Sequence, residues 1–297
     1  MTGRPADRTR GLSMEHCVFV SDLHGRLDRY EKLFQLIAHD EPEAVFIGGD
    51  FLPSGLAAGT ADESGFITGY MREMLGDLRR SMGESYPRML LIMGNDDERA
   101  REPEVRRLES AGLLEYIHCR SVRLGLFRVY GCAFVPPTPF LLKDWERYDV
   151  SRYVDPGCIP PEEGKYSFPV SPQEVRFTTI QDELGRLAGA GPMGDAIFLF
   201  HAPPYDTRVD VADIREVMFE GVPLDRHVGS IAIRRFIEER QPLLTLHGHV
   251  HPSAVHSGTW RDRIGRTHVF SAAHDGCETA VVCFNPANPS AAIRRLL

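Results

Sequence analysis

The sequence predicts an α/β layered fold, and three observations carry that expectation. Short, continuous apolar runs recur along the chain, as strands do when both of their faces are buried. Segments of helical period alternate with them, and compact polar clusters of Asp, His, Asn and Gly follow five of the runs. At 297 residues, 42% hydrophobic and 26% charged, the chain is long and apolar enough for a substantial core.

Taken in order, residues 1–13 are polar, Arg-rich and aperiodic, which predicts a disordered leader before a folded domain at 14–297. Residues 16–20 predict a strand, 27–38 a helix, 44–47 a strand, 63–82 a helix and 89–93 a third strand. After a helix at 104–111, the segments 115–118 and 126–135 read as consecutive strands, so the sheet should be mixed. Residues 136–172 break the rhythm, with eight prolines among 37 positions and the aromatics Phe140, Trp145, Tyr148, Tyr153, Tyr166 and Phe168. So long an irregular stretch marks an insertion. An arm packed onto the domain is the favoured reading; a lid, a base-stacking surface and a homo-oligomer contact are the alternatives. Regular structure resumes with a helix at 174–187, a strand at 196–200, a helix at 231–239 with Ser230 as N-cap, and strands at 243–246, 268–271 and 280–284. No internal repeat and no sharp composition shift marks a second domain.

Charge and cysteines narrow the function. A formal net charge of -8 argues against broad electrostatic capture of nucleic acid or an anionic membrane, so any phosphate site must be local. The six cysteines form no C-x-x-C pair and read as reduced. No apolar stretch approaches membrane-helix length and no hydrophobic signal core opens the chain, which predicts a cytoplasmic protein.

The polar clusters are Asp22-Leu23-His24, Gly49-Asp50, Gly94-Asn95-Asp96-Asp97, His201, and Gly248-His249-Val250-His251. Residues just past several strands of an open α/β sheet converge, although they are distant in sequence. Asp22 and His24 lie two apart, as do His249 and His251, and in extended backbone such residues point the same way. Each pair would then clasp one ion. Imidazole, carboxylate and amide oxygen without thiolate suit manganese, iron or zinc. Six or seven such ligands exceed one tetrahedral ion, whereas two ions bridged by a carboxylate would use them all.

The ordered set D-x-H, G-D, G-N-x-D, H and G-H-x-H resembles the calcineurin-like metallophosphoesterase superfamily over Asp22 to His251. The resemblance implies a four-layer sandwich, two mixed β-sheets flanked by helices, with a dinuclear centre at the strand ends. It also implies that Asp22, His24 and His251 hold one metal and Asn95, His201 and His249 the other, with Asp50 between them. Hydrolysis of a small phosphorylated substrate by a hydroxide bridging the two ions would follow.

The family usually has a histidine after the G-N pair, and here Asp96 stands in its place; the G-D-x-x-D extension is also missing, since Phe51, Leu52, Pro53 and Ser54 follow Asp50. Two divalent ions less Asp22, Asp50 and a hydroxide leave one positive charge, which an ionised Asp96 would cancel. That predicts preference for a monoanionic phosphodiester, or a protonated Asp96 acting as the acid. Asp97 is expected to orient a histidine. Arg26 is a candidate phosphate contact against the blander reading of a solvated Arg at a helix start. His227 is a candidate substrate or supporting contact, a structural turn being the simpler reading. His16, His39, His118, His256 and His268 fit no cluster and take no role. Two other functions compete: a non-catalytic scaffold of the same fold, disfavoured because every ligand position is kept, and a nuclease, disfavoured by the acidic charge.

Overall fold

The computed structural model describes residues 16–53, 65–214 and 217–297. The expected leader at 1–13 and the start of the helix expected at 63–82 lie outside the described residues. Two six-stranded sheets face each other. The first runs in the order β14 (Ile293–Leu296), β13 (Ala280–Phe284), β1 (Cys17–Val20), β2 (Ala44–Gly48), β3 (Arg88–Ile92) and β4 (Glu115–Tyr116). The second runs β11 (Arg261–Ile264), β12 (Thr267–Ser271), β10 (Leu244–His247), β7 (Ala196–Phe200), β6 (Phe127–Cys132) and β5 (Arg120–Leu124). β1, β2, β3 and β4 are parallel, as are β12, β10, β7 and β6, while the pairs β1–β13, β13–β14, β11–β12 and β5–β6 are antiparallel. Both sheets are therefore mixed, as the chain's lack of helices between some strands requires.

The strands β1, β2, β7, β10 and β13 are buried at every residue, which is why all but β10, with its buried Thr245 and His247, read as unbroken apolar runs rather than alternating ones. Between the sheets Phe270 meets Phe284 edge-on at 6.3 Å, and Phe46 lies 5.7 Å from Phe284. Helices cover the outer faces. In α1 (Leu27–Asp40) Tyr30, Leu33, Phe34 and Ile37 are buried at helical spacing; Glu41 ends it in the left-handed region before Pro42. α2 (Arg72–Met82) continues from a π-helical turn at Phe66–Met71, and α3 (Glu102–Ser110) has Pro103 in its first turn.

Several boundaries depart from the sequence reading. The helix expected at 174–187 is two, α4 (Pro172–Phe177) and α5 (Ile180–Ala188), because Thr178 and Thr179 are extended and Thr179 caps α5 by accepting Asp182 N–H. α6 (Ile231–Arg240) starts at Ser230, whose side chain accepts Ile233 N–H as anticipated. A short hairpin, β8 (Met218–Phe219) with β9 (Val222–Pro223), and a five-residue α7 (Ser253–Ser257) carried no periodic signal. Edge strands β5, β11 and β14 were missed because they are Arg-rich and partly exposed.

Residues 136–172 pack along the domain. Val135 N–H donates to Trp145 O and Arg147 N–H to Val135 O, both at 3.0 Å, and Lys143, Asp144, Trp145, Glu146 and Arg147 are buried. Lys143 Nζ donates to Thr138 O and to Glu146 Oε2, and Thr138 donates to the same carboxylate from its backbone and hydroxyl, so the buried charges are satisfied. No helix among the described residues is long and apolar enough to cross a membrane.

Candidate metal centre

Every expected ligand follows the carboxyl end of a parallel strand. Asp22 and His24 come after β1, Asp50 after β2 and Asn95 after β3 in one sheet; His201 follows β7 and His249 and His251 follow β10 in the other. The strand ladders continue into these loops. Asp22 N–H donates to Gly49 O at 3.0 Å, His24 N–H to Asp50 O at 2.8 Å, and Gly248 N–H to His201 O at 2.9 Å. Loops exiting neighbouring strands are thereby fixed side by side.

Only one of the two expected pairs stays together: Asp22 and His24 share a group, whereas His249 stands beside His201 and His251 beside Asp22, and the backbone geometry also differs from expectation. Asp22, His24, Asp50 and His249 have φ of 57°, 48°, 49° and 73°, so they are left-handed turn residues and not extended ones. Asp and His tolerate this region better than most side chains, at a cost of about 1 kcal/mol or more each, and such strain collects at functional sites. The turn, rather than strand alternation, swings the carboxylates and imidazoles inward.

Two overlapping groups result. One ligand atom each from Asp22, His24, Asp50 and His251 lie within 4.8 Å of one another. Within it, His24 Nε2 is 3.2 Å from His251 Nε2, and His251 Nε2 is 3.3 Å from Asp22 Oδ1. In the other group His201 Nε2 is 3.0 Å from Asn95 Oδ1 and 3.3 Å from Asp50 Oδ2, and the His201 and His249 rings lie 5.2 Å apart. Asp50 belongs to both. Glycine permits the approach: a Cβ on Gly248 would fall 2.7 Å from Asp22 Oδ2.

The electrostatics fit a cation. His201 Nδ1 donates to Gly48 O at 2.7 Å, which turns Nε2 toward the Asn95 and Asp50 oxygens, both acceptors. Burial alone would lower its pKa, but the Asp50 and Asp22 carboxylates raise it to about 10, so a proton sits among oxygens that would otherwise repel one another. Burial pushes the other way on Asp50 and Asp22, yet His201 holds Asp50 down to about 2 and His251 holds Asp22 lower still. His249 is pushed down to about 3, by burial and by His201. Clustered carboxylates short of positive charge, with imidazole nitrogens facing each other, are the donor chemistry of a borderline divalent ion.

The remaining expected residues are placed as follows. Asp96 touches the cluster: its N–H donates to Asp50 Oδ1 at 2.9 Å, Asn95 Nδ2 donates to Asp96 Oδ1 at 2.8 Å, and its Oδ2 lies 3.6 Å from His24 Nδ1. Its side chain is 34% exposed, against 3% for Asp50. Burial and the Asp50 charge raise its pKa to about 7. Asp97 does not take the expected role of orienting a histidine. It accepts the N–H groups of Phe51, Leu52 and Gly94 and so ties the loop after β2 to the loop after β3. Arg26 is turned onto Asp28, in the first turn of α1, in a two-pronged pair at 3.2 and 3.1 Å. His227 stands outside both groups; its Nδ1 donates to the buried Asp210 at 2.7 Å within the loop between β7 and α6.

Sequence reasoning missed Arg29. Buried on α1, it donates to Asp22 O at 2.7 Å and to Gly276 O at 2.8 Å, pinning the loop of Asp22 against the loop after β12. An Arg inside an otherwise apolar helical stripe was the available signal. His247 is buried and His118 half-buried, Nδ1 of His247 donating to Ala202 O and Nδ1 of His118 accepting Ala133 N–H.

Two facing mixed sheets with an Asp/His/Asn cluster at the ends of their parallel strands define a metal-dependent phosphoesterase architecture. The calcineurin-like phosphoesterase family model matches residues 16–253, and the chain belongs to that family. Among solved structures, TT1561 of Thermus thermophilus is similar with 16% identity and a TM-score of 0.56, over 96% of this chain and 99% of that one. A second crystal structure matches with 17% identity and a TM-score of 0.57 over 95% and 98%. A dimetal phosphatase from Danio rerio matches with 11% identity and a TM-score of 0.46 over 92% and 93%. No curated protein matches the chain.

Proposed function

We propose that this phosphoesterase hydrolyses a small phosphodiester at a centre of two cations, in the cytoplasm. Asp22, His24 and His251 would hold one ion, Asn95, His201 and His249 the other, and Asp50 both. Bound there, manganese, iron or zinc would supply Lewis acidity and lower the pKa of an attacking water. The chain's own residues do the rest. His201 presents Nε2 inward because Gly48 O holds its other nitrogen, and Asp97 fixes the Asp50 and Asn95 loops in one register.

The observation that carries the diester reading is Asp96, a half-buried carboxylate bonded to Asn95 and beside His24 where the family usually has a histidine. If the second negative charge of a monoester came to about 6 Å from that carboxylate, at an effective dielectric near 20, it would cost roughly 3 kcal/mol, on the order of a hundredfold in selectivity. The test compares bis-p-nitrophenyl phosphate with p-nitrophenyl phosphate at pH 8 in the manganese-loaded protein. The diester should be favoured, and Asp96→Asn should raise monoester turnover relative to diester turnover. Strong monoester selectivity in the unaltered protein would overturn the reading.

A further inference from the structure

Two loops of the centre are held from outside by one short stretch of the proline-rich segment. The Trp145 indole is fully buried, and its Nε1 donates to Asp97 O at 2.7 Å. It cannot swing away: the Arg99 guanidinium lies 5.3 Å from its ring, and the His118 ring meets it edge-on at 4.8 Å. Next to it, Asp144 accepts Arg99 N–H at 2.8 Å, just beyond the same loop. At the other end of the stretch, Asp149 accepts Ile231 N–H at 2.6 Å and the Ser230 hydroxyl. Ser230 in turn exchanges backbone hydrogen bonds with Pro203 O and Tyr205 N, in the loop that leaves His201. Between these ends, the backbone of Trp145 and Arg147 is pinned to Val135 at 3.0 Å.

We propose that residues 144–149 form a strap that positions the Asn95 and His201 half of the centre, with Trp145 and Asp149 as its positioning residues. The proposal rests on the metal-centre reading above. The strap's hydrogen bonds reach the loops of Asn95 and His201, whereas the Asp22 loop is held by Arg29 from α1. Coupling should therefore be one-sided. Loosening the strap should lower affinity for the ion on the Asn95 and His201 side while the ion on the Asp22, His24 and His251 side stays in place.

The experiment titrates manganese into the chelator-stripped full-length protein by calorimetry, with thermal unfolding run alongside. Trp145→Phe keeps an aromatic ring and deletes the N–H donor, with a small loss of buried volume that the unfolding temperature reads; Asp149→Ala deletes the other anchor. Losing one buried hydrogen bond corresponds to about a tenfold weakening. One of two manganese-binding steps should weaken by about that factor in Trp145→Phe and by at least as much in Asp149→Ala, which loses more than one such bond, with the other step unchanged within twofold. In a His201→Ala background the single remaining step should not respond to Trp145→Phe. Should Trp145→Phe fail to fold, Asp149→Ala carries the test alone. Equal weakening of both steps, or no change in either while the unfolding temperature falls, would overturn the strap and leave the metal centre standing. An unaltered protein that binds fewer than two manganese ions would remove the metal-centre reading and the strap with it.

Discussion

Replacing Gly94 with Ala should dismantle the centre while leaving the fold standing. A Cβ at this position would lie 2.2 Å from Asp50 Oδ1, 2.4 Å from Asp50 N and 2.7 Å from His201 Cε1, where ordinary contact begins near 3.4 Å. The carboxylate could rotate away, but the Asp50 backbone nitrogen cannot. The loops after β2 and β3 must therefore separate by about 1 Å, against the hold of Asp97 on both. Overpacking of this kind costs about 1–3 kcal/mol, a fraction of the roughly 5–15 kcal/mol that holds a domain folded. A displacement of about 1 Å at reacting groups, however, costs on the order of 100-fold in rate. Gly94→Ala should accordingly unfold within about 12 °C of the unaltered protein, bind manganese weakly and lose about 100-fold or more in kcat/KM. Gly185→Ala is the control. Its Cβ meets nothing within 4 Å in α5, so it should be neutral or gain about 1 kcal/mol. Full metal content and full turnover in Gly94→Ala would refute the claim that the two loops are in contact at this point.

Two further predictions concern the frame around the centre. His118 is half-buried and neutral, its pKa pushed down to about 3 by the desolvation of its ring and then by Arg99. The unfolded chain binds the proton that the folded chain refuses, so this contribution is complete above about pH 6.5 and lost as pH falls, about 2 kcal/mol by pH 5. His118→Asn should flatten the fall in denaturant-measured stability of the metal-free protein between pH 8 and pH 5 by that amount; an unchanged slope would remove His118 as its source. Lys143→Met strands the Glu146 carboxylate in the interior, where burial already holds its pKa at about 7 in spite of Lys143. It should destabilise by about 3–5 kcal/mol, and adding Glu146→Gln should recover part of that; a loss under about half a kcal/mol in a thermal melt would mean that the pair is not a buried one.

The parts of this molecule that were legible in its sequence are those where one physical demand acts alone. β1, β2, β7 and β13 are buried on both faces, so their apolar runs could be read directly. The polar residues just past them were legible for the complementary reason: nothing but a ligand or a turn explains Asp22, Asp50 and His201 at the end of a buried strand. Edge strands answer to two demands. Arg261–Ile264 and Ile293–Leu296 must pair on one side and meet water on the other, so half of their side chains are Arg and their period is lost. The break between α4 and α5 was hidden because Thr178 and Thr179 fit a helical count while preferring extended backbone.

The site shows a sharper limit, since side-chain identity was readable and side-chain direction was not. Extended spacing and a left-handed turn both let Asp22 and His24 converge, but they place the burden on different groups. A strand would need only its own alternation. The observed turn needs partners that hold φ positive at 57° and 48°, and these are supplied from elsewhere: Gly49 O and Asp50 O accept the two amides, and Arg29 takes the Asp22 carbonyl. The same holds across the centre, where Asp97 binds backbone from two loops and Trp145 binds Asp97. The candidate ligands thus show themselves in local sequence, each just past its own strand, whereas what aims them is long-range. A residue such as Trp145, 48 positions from the carbonyl it holds, carries no local mark of that task.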